Sequence, residues 1–406
     1  MKSQSTIRRF DSQQRFKYCI SSKEAGSSPA SFVWDKDSME RFEIQPVLSS
    51  AISDVAIFLH NWHAAEGRGS WVYRVTDDES AGVERRLRWL LLENPLASIT
   101  PHHGFCIRNH QGFIVGVILS FPGAFWSGER RLVGLCSGSF FVEPQARAQG
   151  FFLFRKYLSS PGYDFFFGTT CNANSGALWK KLRGAPLEGS DAEYILPINF
   201  DVMFPAVLST PNRIAEQAAR LVGKCANPVA HTILKRQSME LALKPCRDWE
   251  KLSDLSRRHR PADLITTERS VAFLTWRYGK RSPNQSSEIY LFHDKIGNEG
   301  WFALGEITRG RRGQIRGSVL LDAVWPRQKL DFGDIVPAII HRSTSYADAI
   351  FFSPRLGIDF RKCSRYIVRR KLEGPRCFAV APRKSAPLDF SSLDLVAADG
   401  DSGFVI

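Results

Sequence analysis

The sequence predicts an α/β or α+β fold in two tandem copies, each a mixed, mostly antiparallel sheet flanked by helices. Its 406 residues are 43% hydrophobic and 12% aromatic, enough for two cores of ordinary domain size. In the first half, strand and helix periods alternate in the order β-α-α-β-β-β-α-β-α-β. The second half repeats this order with little residue identity, which indicates two copies of one fold.

The first copy is predicted over residues 42–205. A short strand precedes two helices, and the second helix ends at Asn94-Pro95 because proline cannot continue it. Three antiparallel strands follow, the last of which ends at Val142. The remaining elements are predicted as helices over 147–158 and 174–183 and as strands from 164 and from 193.

Composition sets the other boundaries. Residues 1–41 and 385–406 are rich in polar and charged residues without sustained periodicity, which predicts disordered tails. A basic, mostly helical stretch within 206–245 predicts an interdomain linker. The second copy is predicted over 246–384.

Charge and cysteine content narrow the classes of function. Lys and Arg number 55 against 41 Asp and Glu, and the formal charge of +14 favours an anionic partner such as a nucleotide cofactor, nucleic acid or lipid head group. The eight cysteines are scattered, with no Cys/His cluster at zinc-ligand spacing, so no metal is expected. No run approaches the ~20 apolar residues of a membrane span and no signal peptide is recognisable, which predicts a cytoplasmic protein.

The segment Val142–Gly150 lies between a predicted strand and a predicted helix. Pro144 leaves the sheet, and Arg147 and Gly150 stand where the helix begins. The first N–H groups of a helix have no intrahelical partner, and glycine lets a ligand approach the backbone closely. The segment therefore predicts a binding site for a pyrophosphate.

The run from Val142 to Leu153, VEPQARAQGFFL, resembles the signature V-x-P-x-x-R-G-x-G-x-G/A-x-x-L of the GNAT superfamily of acyl-CoA-dependent N-acyltransferases. Val, Pro, Arg and the second Gly match. Ala148 replaces one usual glycine, and Phe152 occupies a position that is usually small. After the next strand, Asn172–Leu182 resembles the family's Asn-x-x-Ala-x-x-aromatic helix.

The resemblance covers residues 42–200 and implies that the fourth and fifth strands separate to admit the pantetheine arm of acetyl-CoA or acyl-CoA. Over 246–382 it is architectural only. There the equivalent turn, Asp322–Gly333, lacks the Arg-x-x-Gly-x-Gly core, so no cofactor is expected in the second copy. The cofactor-binding residues that the resemblance implies are Val142, Arg147, Ala148, Gln149, Gly150, Phe151, Phe152, Asn174 and Ala177.

Acylation of an amine requires a base for the ammonium group and an acid for the departing thiolate. Glu143, one residue beyond the strand end, is the candidate catalytic base. The resemblance implies a tyrosine acid on the helix after the fifth strand, where this sequence has Leu178 and Trp179. Unassisted departure of the thiolate and an inactive site both remain open.

Three hypotheses about function follow. The first is an N-acyltransferase that uses acetyl-CoA or acyl-CoA and a small-molecule amine acceptor, with an amino sugar or amino acid as candidates. The run Thr275–Tyr278, TWRY, resembles acyltransferase-like proteins of bacterial polysaccharide and cell-envelope pathways. The second is a Fem-type transferase that uses aminoacyl-tRNA, which the basic linker suits. The third is a GNAT-like module that binds an anionic ligand without chemistry.

Overall fold

A computed structural model describes residues 42–66, 80–208, 213–235, 241–282, 286–309, 315–383 and 388–400. The tail predicted over 1–41 lies outside these residues. The described first half contains β1 (Glu43–Pro46), α1 (Ile52–Glu66), α2 (Ser80–Leu91), β2 (Gly104–Arg108), β3 (Ile114–Ser127), β4 (Arg130–Val142), α3 (Gln149–Tyr157), β5 (Phe165–Gly168), α4 (Ala173–Lys181), β6 (Ala185–Pro186) and β7 (Ala192–Pro197).

Two helices, α5 (Phe200–Leu208) and α6 (Arg213–Lys235), connect this half to the next. The described second half contains β8 (Ala242–Pro245), α7 (Trp249–Arg258), β9 (Ile265–Thr267), α8 (Val271–Tyr278), β10 (Glu288–His293), β11 (Glu299–Arg309), β12 (Ile315–Val324), α9 (Phe332–Ser343), β13 (Ala349–Phe352), α10 (Phe360–Cys363), β14 (Val368–Lys371), β15 (Phe378–Val380) and β16 (Leu393–Asp394).

The strands form two sheets. The first has the order β1-β2-β3-β4-β5-β15-β6, and β9 pairs with both β3 and β16 at its side. The second has the order β14-β7-β13-β12-β11-β10-β8. Among the described strands, pairing is antiparallel except between β4 and β5, β12 and β13, and β9 and β16. The predicted fold class, mixed and mostly antiparallel sheets flanked by helices, is confirmed.

Each sheet contains a strand from the other half of the chain. β15 pairs with β5 in the first sheet, whereas β7 pairs with β13 and β14 in the second. The division into domains at 42–205 and 246–384 stays a prediction. The sheets themselves are not divided at those positions, because the described strands cross between them four times along the chain.

The end of the described chain differs from its prediction as a disordered tail. Residues 388–400 pack between the two sheets, and β16 pairs with β9 in the first of them. Leu393 and Leu395 join the core of the first sheet, and Val396 and Ala398 join a core of the second. Composition misled here because a short segment takes its order from burial against surfaces that other parts of the chain supply.

A buried carboxylate fixes this segment. Asp394, whose side chain is fully buried, accepts hydrogen bonds from Arg327 at 2.6 Å and from Arg355 at 2.9 Å. Burial by itself would raise the pKa of Asp394, but Arg355 and Arg327 lower it to about 2. The carboxylate is therefore ionised at neutral pH and holds two guanidinium groups.

A second buried ion pair lies close to the first. Arg269 donates to both carboxylate oxygens of Asp322, at 2.7 and 2.8 Å. Asp399 lies near this pair and accepts a hydrogen bond from the Val396 N–H at 2.7 Å. Burial raises the pKa of Asp399 to about 6, although the charge of Arg269 opposes the shift. The interior between the sheets is thus built around charged groups as well as apolar ones.

Among the helices that the structure describes, none is long and apolar enough to cross a membrane.

Replacing Asp394 by Asn should destabilise the fold by about 3–5 kcal/mol at pH 7, because two buried guanidinium groups lose their counter-charge. The folded-state pKa of about 2 lies below the unfolded value of about 3.9, so the carboxylate stabilises above pH 4 and loses this effect as the pH falls towards 2. Urea unfolding of both proteins at several pH values measures the difference, which should narrow below about pH 4.

Asp254→Asn is the matched control, because Asp254 pairs with Arg257 and Arg258 at the exposed end of α7. We expect it to change the free energy of unfolding much less than Asp394→Asn does, because solvent screens an exposed ion pair. Equal losses in the two variants would show that the buried pair does not hold the segment.

Candidate functional site

The site begins where β5 separates from β4. These parallel strands are paired up to Ser137 and Gly168. The chain after β5 then follows the strand from the second half, since the Cys171 N–H donates to the Arg376 carbonyl at 2.9 Å. β4 continues beside β3 as far as Val142. Residues 139–142 of β4 are therefore not paired with the chain that follows β5.

A β-bulge lies in β4 directly after the residues that pair with β5. Val117 and Leu119 of β3, two residues apart, pair with Phe141 and Gly138 of β4, three residues apart. Within the bulge Ser139 has a φ of 47°, a left-handed conformation that costs a non-glycine residue roughly 1–2 kcal/mol. Such strain is found at functional sites, where an extra residue redirects the strand edge.

Tyr157 contacts both strands just before they separate. Its hydroxyl donates to the Leu135 carbonyl of β4 at 2.6 Å and also lies 3.2 Å from the Phe167 carbonyl of β5. The side chain is fully buried and packs against Trp179 of α4. Burial raises its pKa well above the ordinary value. Tyr157 is therefore a structural residue that sets where the strands part, and it is not placed to protonate a thiolate.

The predicted pyrophosphate turn connects β4 to α3. Its first residue, Glu143, still belongs to the strand pairing through a hydrogen bond from its N–H to the Val115 carbonyl at 2.8 Å. A short 3-10 helix, Pro144–Ala146, follows, and α3 begins at Gln149. The N–H of Gly150 donates to the Arg147 carbonyl at 3.1 Å, so one of the early amides of α3 is already used within the turn.

The glycine of this turn is not required by the protein's own packing. A Cβ atom at Gly150 would lie 3.5 Å from the Val142 side chain and 3.6 Å from Phe140, which are ordinary contact distances. Arg147 and Ala148 are exposed beside it. The bulky Phe152 is 53% exposed, so its ring is not buried in the protein. These residues fit the predicted role, because the turn presents a small-residue surface and a cation to solvent.

The candidate base lies in the same turn. Glu143 is partly buried, and the side-chain amide of Gln145 donates a hydrogen bond to its carboxylate. An amide donor stabilises the ionised form of a carboxylate and fixes its orientation. Glu143 is thus held at the end of β4, directly before the exposed residues of the turn.

The second predicted motif lies on the neighbouring helix. α4 follows β5 as α3 follows β4, and the two helices are in contact through Phe154 and Trp179, whose ring centroids are 5.1 Å apart. Asn174 and Ala177 are exposed on α4. The N-cap of α4 is Asn172, which forms a reciprocal capping box with Ser175, so Asn174 is not used as the cap.

A cavity of about 120 Å³ lies directly after β5. Thr169 and Thr170 line it on the side of the first sheet, and strands of the second sheet and residues 393–397 complete its wall. Glu193 and Arg309, 3.5 Å apart, are charged groups in its lining. Burial lowers the pKa of Arg309, and Glu193 opposes that shift.

Three of these features were not found from the sequence. Gly138, in the middle of a strand pattern, was a usable signal for the bulge, since glycine inside a strand often marks one. The role of Tyr157 and the position of the cavity had no local signal. Both depend on contacts between residues that are far apart in the chain.

Tyr157→Phe should destabilise the protein by about 1–3 kcal/mol, because the buried hydrogen bond from the hydroxyl to the Leu135 carbonyl is lost. Chemical denaturation measures this loss. Tyr163→Phe is the control, since its hydroxyl bonds only to the partly buried Thr100 side chain at 3.3 Å. If Tyr157→Phe leaves stability unchanged, the hydroxyl does not hold β4 and β5 together.

No known family profile matches the sequence, and no curated protein matches it. Solved structures do match in fold. A GCN5-related N-acetyltransferase from Anabaena variabilis ATCC 29413 is similar with a TM-score of 0.51 and 12% identity, over 84% of this chain and 73% of that one. A probable N-acyltransferase from Enterococcus faecalis V583 is similar with a TM-score of 0.51 and 9% identity, over 85% and 73% of the two chains.

N-myristoyltransferase from Saccharomyces cerevisiae, solved with bound myristoyl-CoA, is similar over more of this chain. Its TM-score is 0.50 and its identity 12%, over 90% of this chain and 85% of that one. The chain has the fold of the GNAT superfamily.

Proposed function

We propose that this protein is an N-acyltransferase that moves an acetyl or longer acyl group from coenzyme A to an amine. The observation that carries the proposal is the separation of β4 and β5 after Ser137 and Gly168, next to the exposed turn that begins α3. Two parallel strands that separate next to the N-terminus of a helix can take a long ligand with an anionic end between them. Acyl-CoA is such a ligand.

The turn supplies the anion site of this proposal. The side chain of Arg147 is exposed, and the positive end of α3 faces the same region. Gly150 is buried beside Val142 and Phe140, and the exposed Ala148 adds a second small residue to the turn. The residues that we propose to contact the cofactor are Val142, Arg147, Ala148, Gln149, Gly150, Phe151 and Phe152 from the turn and α3, and Asn174 and Ala177 from α4.

The end of β4 and the cavity beside Thr169 supply the remaining parts of the proposed site. Beyond Ser137, β4 no longer pairs with β5. The amides of a pantetheine arm can form the hydrogen bonds with β4 that β5 forms before that point. The cavity beside Thr169 and Thr170 adjoins the chain after β5 and is our proposed acceptor pocket. Its charged pair, Glu193 and Arg309, suits an amine that also bears an acidic or hydroxyl group, such as an amino acid or amino sugar.

Acyl-CoA supplies an activated thioester when it is bound. The chain's part in the reaction is to hold the amine and to take up its proton. We assign proton uptake to Glu143, directly or through water, because Gln145 orients its carboxylate at the strand end. Tyr157 is buried and bonded to Leu135, so we assign no protein acid to the departing thiolate. The new C–N bond forms as the C–S bond breaks.

The alternatives are less well supported. Acetyl and myristoyl transferases share the fold, which favours acyl-CoA over aminoacyl-tRNA as the donor. The exposed Arg147 beside the start of α3 favours a binding site for an anion, which both an active transferase and a module without chemistry would have. A cytoplasmic location and a role in a cell-envelope or polysaccharide pathway stay predictions.

Acetyl-CoA or myristoyl-CoA should raise the melting temperature of the protein, because a ligand that binds only the folded state stabilises it. Arg147→Gln should weaken binding about ten-fold through the loss of one charged hydrogen bond. Gly150→Trp should abolish binding. Arg155→Gln is the matched control, because Arg155 is an exposed arginine in the last turn of the same helix. An absent shift at millimolar concentrations of both thioesters would remove the basis of the proposal.

Glu143→Gln should lower kcat by about 100-fold or more and leave the dissociation constant of acyl-CoA unchanged, because general-base catalysis contributes about that factor. Glu193→Gln is the comparison. Glu193 lies between Arg309 and Arg370, at 3.5 and 3.6 Å, so its loss should raise KM for the amine rather than lower kcat. A larger fall of kcat in Glu193→Gln would transfer the role of base to the cavity carboxylate.

A further inference from the structure

A second cavity, of about 220 Å³, lies away from the proposed acyl-CoA site. Trp126, which lines it, pairs with Arg131 at the start of β4, whereas the pyrophosphate turn begins after Val142 at the end of that strand. At about 3.3 Å per residue these positions are roughly 35 Å apart along β4. The two sites therefore cannot share one small ligand.

The wall of this cavity comes from both halves of the chain. The residue from the first half is Trp126, at the end of β3. The second half contributes the end of α7, the loop 259–261, the segment between β9 and α8, and the residues that follow β12 and β13. The turn after β12 is the counterpart of the pyrophosphate turn. Here Trp325 and Arg327 stand in that turn and line the cavity.

Arginine side chains line this cavity against indole rings. Arg260 lies over Trp126, with its guanidinium carbon 4.4 Å from the ring centroid. Arg327 lies over Trp325 at 4.7 Å, and Arg355 lies over the same ring at 5.5 Å. Stacking on an aromatic ring fixes a guanidinium group while leaving its N–H groups in plane to bind an oxyanion.

The positive charge of this wall is not fully balanced. Arg327 and Arg355 share one carboxylate, Asp394. Arg260 forms no ion pair among the described residues. Burial lowers the pKa of Arg327, and the nearby charge of Arg355 lowers it further. An anion placed in the cavity would relieve this repulsion.

Two further groups at the wall suit an anion. α8 begins directly after its N-cap, Ser270, which lines the cavity, so the positive end of the helix faces it. The Nε2 atom of His259, another lining residue, is buried and has no hydrogen-bond partner in the part of the chain that the structure describes. Pro261 and Val324 add apolar surface to the wall, and its one carboxylate among the lining residues, Glu268, is paired with Arg131.

We propose that this cavity is a binding site for a small organic oxyanion, a phosphate ester or carboxylate on an aromatic or aliphatic body. The guanidinium groups of Arg260 and Arg327 bind the oxyanion, and Trp126 and Trp325 contact the body. The site is independent of acyl transfer. It occupies the place where the second copy of the fold has its own strand-to-helix turn.

Titration calorimetry with phenyl phosphate, benzoate, inorganic phosphate and uncharged benzyl alcohol tests the proposal on the full chain. Phenyl phosphate or benzoate should bind at least ten-fold more tightly than both benzyl alcohol and inorganic phosphate, because only they offer charge and an apolar body. Whichever of these two anions binds more tightly identifies the preferred acid group as a phosphate or a carboxylate. Equal binding of benzyl alcohol, or no binding of either anion up to about 10 mM, would overturn it.

Arg260→Gln locates the site, with Arg258→Gln as its matched control. Arg258 is two residues away, exposed and paired with Asp254, and it does not line the cavity. Arg260→Gln should weaken the preferred anion about ten-fold or more, and Arg258→Gln less than about two-fold. Equal weakening in both variants would contradict the proposal.

Acyl-CoA binding separates this site from the proposed active site. Arg260→Gln should leave the affinity for acyl-CoA within about two-fold of the wild type, and Arg147→Gln should leave the affinity for the small anion unchanged. If Arg260→Gln abolishes acyl-CoA binding, the cavity belongs to the coenzyme site and the proposal of a second site fails.

Discussion

After Gly168 the chain that follows β5 bonds to the second half of the protein, through the Cys171 N–H and the Arg376 carbonyl, and leaves β4 to continue beside β3. β5 is paired with β15 as well as with β4 up to Gly168, and only the pairing with β4 ends there. Tyr157 bonds to both strands just before they part, and the bulge at Ser139 bends β4 just after. The pyrophosphate turn, α3 and α4 are then placed at one edge of the sheet, because both helices follow the carboxyl ends of parallel strands.

Strands that each half contributes to the other half's sheet explain why the two halves cannot be treated as separate bodies joined by a linker. β15 is needed to complete the first sheet, and β7 is needed to complete the second. Residues 388–400 add a third connection, since they contribute side chains to a core of each sheet. A cavity that is lined from both halves, as the proposed acceptor pocket is, keeps its shape only if these crossings hold.

Buried charge is the other organising feature. The chain has an excess of positive charge, and part of it lies inside rather than on the surface. Arg269, Arg327 and Arg355 are anchored by Asp322 and Asp394 between the sheets. Buried ion pairs seldom add stability compared with apolar packing, but they fix the geometry of the groups that they join. Here they fix the last described segment and the wall of the anion cavity.

The sequence by itself determined the fold class and the order of the longer elements, because hydrophobic periodicity is a local property that 10–15 residues display. The short strands β6, β9 and β14 were not predicted. It also placed the turn between Val142 and Gly150, since proline and glycine act on the backbone at their own positions.

Only the tertiary structure decided the rest. That residues 388–400 are buried depends on both sheets being present, so their polar composition was no guide. That Tyr157 is a strand clamp, and that Arg260 and Arg327 line one cavity, depend on chain segments that meet only on folding. Burial and the pairing of charges are properties of the surroundings of a residue, and those surroundings come from distant parts of the chain.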